Sequence, residues 1–91
     1  MSIQRSATAV WNGSLKNGYG RVGTESATLV NAPYTFATRF ESGAKGTNPE
    51  ELLGAAHAGC FTMMTTALLG AAGFTADKLD TKATVTVEQV A

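Results

Sequence analysis

The 91-residue sequence predicts an α+β fold, and three observations predict it. Residues up to about Phe40 fall into short β-patterned segments separated by turn signals. One long stretch between Thr47 and Gly73 carries helix-start and helix-stop signals at its ends. A last segment, Leu79 to Val90, alternates Ala83, Val85 and Val87 with Thr84, Thr86 and Glu88 at a two-residue period. The expected order is β-β-(β)-α-β: an antiparallel sheet packed on a long central helix, within a single partial domain over 1–91 that stops after the strand following the helix.

Taken in order, residues 5–11 form the first expected strand, rich in β-branched and aromatic side chains. Asn17-Gly18 is a strong hairpin signal. The returning strand spans about Gly20 to Thr24. Glu25 to Leu29 either continues it across a bulge or opens another strand. Asn31 to Pro33 reads as a turn, with Ala32 held extended by the following proline. Tyr34 to Phe40 alternates aromatic with small residues and reads as a strand or extended segment. Ser42 to Thr47 is a glycine-containing loop.

The helix signals are local. Asn48 suits the N-cap, Pro49 the first helical position, and Glu50 and Glu51 the positive end of the helix dipole. Gly73 suits the left-handed residue beyond the last turn. Between them Leu52, Leu53, Ala56, Cys60, Met63, Ala67, Leu68 and Ala71 recur mainly at spacings of three and four, an apolar stripe at helical period. The run Ala55, Ala56, Ala58, Gly59 is small enough for another backbone to come close. So broad an apolar helix needs more cover than a few short strands supply. The chain is therefore expected to be incomplete as a monomer, and to be either a fragment or an oligomer.

Composition narrows the function. At 44% hydrophobic the chain is globular rather than disordered. Seven basic and seven acidic side chains give zero formal charge with no basic cluster, so nucleic acid and anionic membrane are not expected partners. No leader pattern and no apolar run of spanning length is evident. The single cysteine suits a reducing, cytoplasmic compartment.

That cysteine, Cys60, is either a small core residue or a nucleophile, and a nucleophilic thiolate needs a cation beside it. Arg39 is the best placed in sequence. A carboxylate of the first helical turn, Glu50 or Glu51, would hold the guanidinium, giving a Glu–Arg–Cys relay. Glu50 and Cys60 are ten residues apart, about 15 Å along a straight helix. The relay therefore requires a break near Gly54 or a residue from another subunit. His57 is either a general base or a packed or capping residue, and a metal held by His57 and Cys60 lacks further ligands. Met63, Met64, Tyr34, Phe36, Phe40 and Phe61 are core residues or the lining of an apolar pocket.

The segment TNPEELLGAAHAGCFTM, with TRFE upstream and the W-x-G pattern at Trp11 to Gly13, resembles the OsmC/Ohr family, and within it the OsmC branch (osmotically inducible protein C). The resemblance implies a homodimer or larger homo-oligomer of α+β fold with active sites at the subunit interface. It implies a thiol-dependent peroxidase that reduces organic hydroperoxides, in which Cys60 is the peroxidatic cysteine, Arg39 stabilises its thiolate and Glu50 partners the arginine. Neither metal nor other cofactor is implied. The family carries a second, resolving cysteine in its C-terminal half, and these 91 residues hold one cysteine. Recycling would then fall to an external thiol reductant. The alternative is a truncated, catalytically incomplete family member acting as an assembly module.

Overall fold

The computed structural model describes residues 2–88. Its elements are β1 (Ala7–Asn12), β2 (Tyr19–Thr24), β3 (Ala32–Tyr34), α1 (Phe36–Phe40) and α2 (Pro49–Ala71). The composition is α+β, as the sequence predicts. The chain divides into two compact units, one up to Asn48 and one from Pro49.

The first unit is a three-stranded antiparallel sheet in the order β1-β2-β3, followed by α1. β1 and β2 form a hairpin, as expected, but its connection is the whole loop 13–18, with Gly13 rather than Asn17 or Gly18 at positive φ. Gly18 donates its N–H to the Ser14 carbonyl at 2.7 Å, and the Trp11 indole N–H donates to the same oxygen at 3.2 Å. Trp11, Gly20 and Tyr34 lie abreast across the three strands. Over Gly20 the two rings meet with centroids 5.3 Å apart and planes tilted by 59°. Gly20 is buried because its missing side chain makes room for them.

Three expectations for this unit are corrected. Asn31 to Pro33 is not a turn throughout: Asn31 turns at φ +48°, but Ala32 and Pro33 already pair with β2 as part of β3. Glu25 to Leu29 neither continues β2 nor starts a strand. The Thr24 N–H donates to the Leu29 carbonyl, the Leu29 N–H donates back to Thr24 Oγ1, and Ala27 closes the turn at φ +63°. Tyr34 to Phe40 is not one extended segment either: Tyr34 ends β3 and α1 starts at Phe36. Hydroxyls decide this. Thr35 Oγ1 accepts from the Thr38 N–H (3.1 Å) while Thr38 Oγ1 accepts from the Thr35 N–H (2.8 Å), a reciprocal capping box. Thr35→Val should therefore destabilise this unit by about 1 kcal/mol. Urea unfolding checks this, and an unchanged midpoint would show that the box adds nothing. The loop after α1 is tied back: the Thr47 N–H donates to the Pro33 carbonyl (2.9 Å) and Asn48 Nδ2 to the Thr38 carbonyl (3.1 Å). Gly46, at φ +138°, passes close to Pro33, where a side chain would not fit.

The second unit is α2 and the segment after it. The helix starts at Pro49 and ends where Gly73 turns left-handed at φ +90°. Gly73 N–H donates to the Gly70 carbonyl and Phe74 N–H to the Leu69 carbonyl, the paired bonds of a Schellman stop. Residues 79–88 form no strand, contrary to expectation. Alternation gives a segment two faces, but a strand also needs a hydrogen-bonded neighbour, and the segment has none among the described residues. Gln89 and Val90, the rest of that predicted strand, lie outside the described residues. Instead the segment runs back along α2. Thr62 Oγ1 sits 2.6 Å from both the Ala58 carbonyl and Thr81 Oγ1. Since a hydroxyl has one hydrogen, Thr62 donates to the carbonyl and accepts from Thr81. Close approach falls at Gly54, the buried residue of α2, and not at Gly59. A Cβ on Gly54 would stand 3.5 Å from the Ala83 carbonyl oxygen and 3.7 Å from Val85 Cγ2.

No hydrophobic side chain is fully buried among the described residues. The half-buried face of α2 runs through Ala58, Thr62, Thr65 and Leu69. The apolar stripe is elsewhere, and most of it is exposed: Leu53 60%, Met63 77% and Leu68 64%. One expectation about α2 also changes. At 23 residues it is long and apolar enough, by length and composition alone, to cross a membrane. The glycines, threonines and His57 interrupt the run without lowering its average enough. A core helix covered on all sides has the same composition.

Candidate functional site

Each unit contributes part of the candidate chemistry. In the first unit the hairpin and the β3–α1 corner enclose a cleft of about 380 Å³. Trp11, Gly13 and Leu15 form one side, and Tyr34, Thr35, Phe36, Arg39 and Phe40 the other. Because α1 is helical, Phe36 and Phe40 stack one turn apart, with centroids 4.9 Å apart and planes tilted by 53°. Arg39 lies in the last turn of α1, where a cation is favoured, and its guanidinium carbon is 5.1 Å from the Phe40 ring centre. Lys16, on the hairpin, places its ammonium 6.0 Å from the Phe36 ring centre.

In the second unit Cys60 is a free, exposed thiol midway along α2. Ala56, His57, Met63 and Met64 are its neighbours one turn away, all exposed. Glu50 is half-buried in the first turn. The helix runs unbroken through Gly54, so the break that would re-aim the first turn is absent. Ten residues of continuous helix separate Glu50 from Cys60 by about 15 Å along the axis, and the structure does not bring these two together. His57 is exposed and lines a shallow hollow with Phe61, Thr81, Lys82, Ala83 and Thr84. Among the described residues no three His, Cys, Asp or Glu side chains gather to hold a metal ion.

Sequence reasoning did not single out Trp11 or Leu15 as cleft residues. The usable signal was the four-residue spacing of Phe36 and Phe40, which is a helical spacing.

Fold and site together define an α+β protein whose long helix bears a lone thiol. The family model for OsmC-like proteins matches residues 42–91, a segment that includes Cys60, and the chain belongs to that family. It is 53% identical over 90 residues to the Peroxiredoxin OsmC of Escherichia coli (strain K12) and, to the same degree, to that of Shigella flexneri. These matches cover 99% of this chain and 62% of each relative, so the chain spans less than two thirds of their length.

Proposed function

We propose that this chain carries the peroxidatic half-site of a cytoplasmic thiol peroxidase acting on organic hydroperoxides. The observation that carries the reading is an exposed thiol, Cys60, on the long helix within the family-matched segment. The Cys60 thiolate attacks one peroxide oxygen, the O–O bond breaks, and the alkoxide leaves as the alcohol after taking a proton. The sulfur becomes a sulfenic acid. An external thiol then condenses with it, releasing water and forming a mixed disulfide, and a second thiol equivalent restores Cys60. Sulfur supplies the electrons, so the scheme calls on no metal or other cofactor.

In this reading Arg39 stabilises the thiolate and Glu50 orients Arg39. Glu50 and Cys60 of one chain are too far apart for one guanidinium to reach both, so a second copy supplies one member. The exposed apolar stripe of α2 supports a homodimer or larger homo-oligomer, with the helix as its core rather than as a membrane span. The second reading is an assembly module without turnover, in which the exposed apolar stripe of α2 is the working surface.

Stopped-flow loss of the Cys60 thiol against cumene hydroperoxide and hydrogen peroxide, followed by intact mass, separates them. The peroxidase reading expects faster loss with the organic peroxide, ending in sulfenic acid or a mixed disulfide. Loss no faster than that of an ordinary thiol would leave the assembly module.

A further inference from the structure

We propose that the aromatic cleft of the first unit is a binding site for aryl carboxylates: a flat ring carrying one acid group. This goes beyond the peroxidase reading and does not depend on Cys60.

The walls of the cleft select the ring. Two tilted aromatic pairs, Trp11 with Tyr34 and Phe36 with Phe40, are all among its lining residues. Tilted rings offer both faces and edges, the two surfaces against which a guest ring packs best. The volume, about 380 Å³, lies in the range of small-molecule sites and exceeds what a single bicyclic ring needs.

The charges select the acid group. Arg39 is the charged residue of the lining, and none of the lining residues is acidic. Lys16 adds a second cation over the Phe36 ring. Both cations are held near ring faces, so a carboxylate beside them keeps its counter-ion while its ring enters the cleft. Arg39 need not give up another partner, because a guanidinium presents five N–H donors. A neutral aromatic would gain the walls but not the cations. A linear acid would gain the cations but would fill ring-shaped space poorly.

Trp11 is the sole tryptophan and lies in the cleft wall, so it reports occupancy directly. Its indole N–H, the only one in the chain and held on the Ser14 carbonyl, gives a single resonance to follow in the nitrogen-15-labelled 91-residue chain. Titration with 2-naphthoate is expected to shift that resonance saturably. The neutral 2-naphthamide should bind roughly tenfold more weakly, and Arg39→Gln should weaken naphthoate by a similar factor. Lys16→Met, at an exposed hairpin position, should weaken it about threefold. Naphthamide binding as tightly as naphthoate, octanoate binding as tightly as naphthoate, or no saturable shift would each overturn the proposal. So would undiminished naphthoate affinity in both Lys16→Met and Arg39→Gln. None of these readouts involves peroxide, so failure here and failure of the peroxidase reading are separate results.

Discussion

Cys60→Ser is expected to abolish hydroperoxide consumption, and Arg39→Gln to slow it by roughly one to two orders of magnitude. The serine variant removes the only sulfur in the chain that reacts as a thiolate, and a hydroxyl has no comparable nucleophilic form near neutral pH. The arginine variant keeps the thiol but removes a charge-assisted donor. Such contacts are worth about 1.5–3 kcal/mol, which sets the range. Two further substitutions separate charge from packing, because Arg39 also lies against the Phe40 ring. Arg39→Lys keeps a cation without the fork and should recover part of the rate. Arg39→Met keeps an apolar stem without charge and should recover none. Peroxide consumption with excess dithiol, measured beside circular dichroism of each variant, makes the comparison. If Arg39→Met matches the parent rate, Arg39 only packs and the relay is wrong. If Cys60→Ser still consumes organic hydroperoxide, the peroxidase assignment of this thiol fails outright.

The helix was legible in the sequence because its limits are set by neighbouring residues alone. Pro49 opens it and Gly73 closes it in a left-handed turn, whatever surrounds them. That a hairpin lies near Asn17-Gly18 was legible too, though not its six-residue loop, 13–18. Residues 34–40 were not, because seven residues of alternating bulk suit a strand or a short helix equally. What decides is the pair of hydroxyls at Thr35 and Thr38, each meeting the other's backbone N–H. The two-residue period of 79–88 was read correctly as a pattern and incorrectly as a strand. A pattern does not say whether a neighbour exists to pair with, and here the segment lies along α2, meeting Gly54 and Thr62. The same gap explains the apolar stripe. Period locates Leu53, Ala56, Cys60 and Met63 on one side of a helix, but which side is covered depends on the surface that meets it. As for the candidate site, Cys60 stands out as the single cysteine and Arg39 by its place just before the loop that feeds α2. The cleft around Arg39 needed the fold, because Trp11 and Tyr34 become neighbours only across β2.

Gly20→Val is expected to destabilise the first unit by about 0.5–4 kcal/mol. Gly20 sits between Trp11 and Tyr34 in the sheet, and a Cβ there would stand 2.6 Å from Trp11 Cε3 and closer still to the Tyr34 ring. One opposing effect favours the variant. Replacing a strand glycine removes an entropic penalty of about 0.5–1 kcal/mol. Against it stand the strain of overpacking, about 1–3 kcal/mol, and the loss of the ring pair, about 0.5–1.5 kcal/mol, so the clash wins. The rings cannot move aside without cost, because Trp11 is anchored at the Ser14 carbonyl and Tyr34 begins the turn into α1. Urea unfolding followed by Trp11 emission should show a lower midpoint with an unchanged slope, and Gly20→Ala should give a smaller shift in the same direction. Because Trp11 and Tyr34 also wall the cleft, Gly20→Ala should weaken naphthoate binding under conditions where the chain remains folded. A midpoint equal to that of the parent would mean that the rings have room to spare over Gly20, and that the cleft is not shaped by their contact.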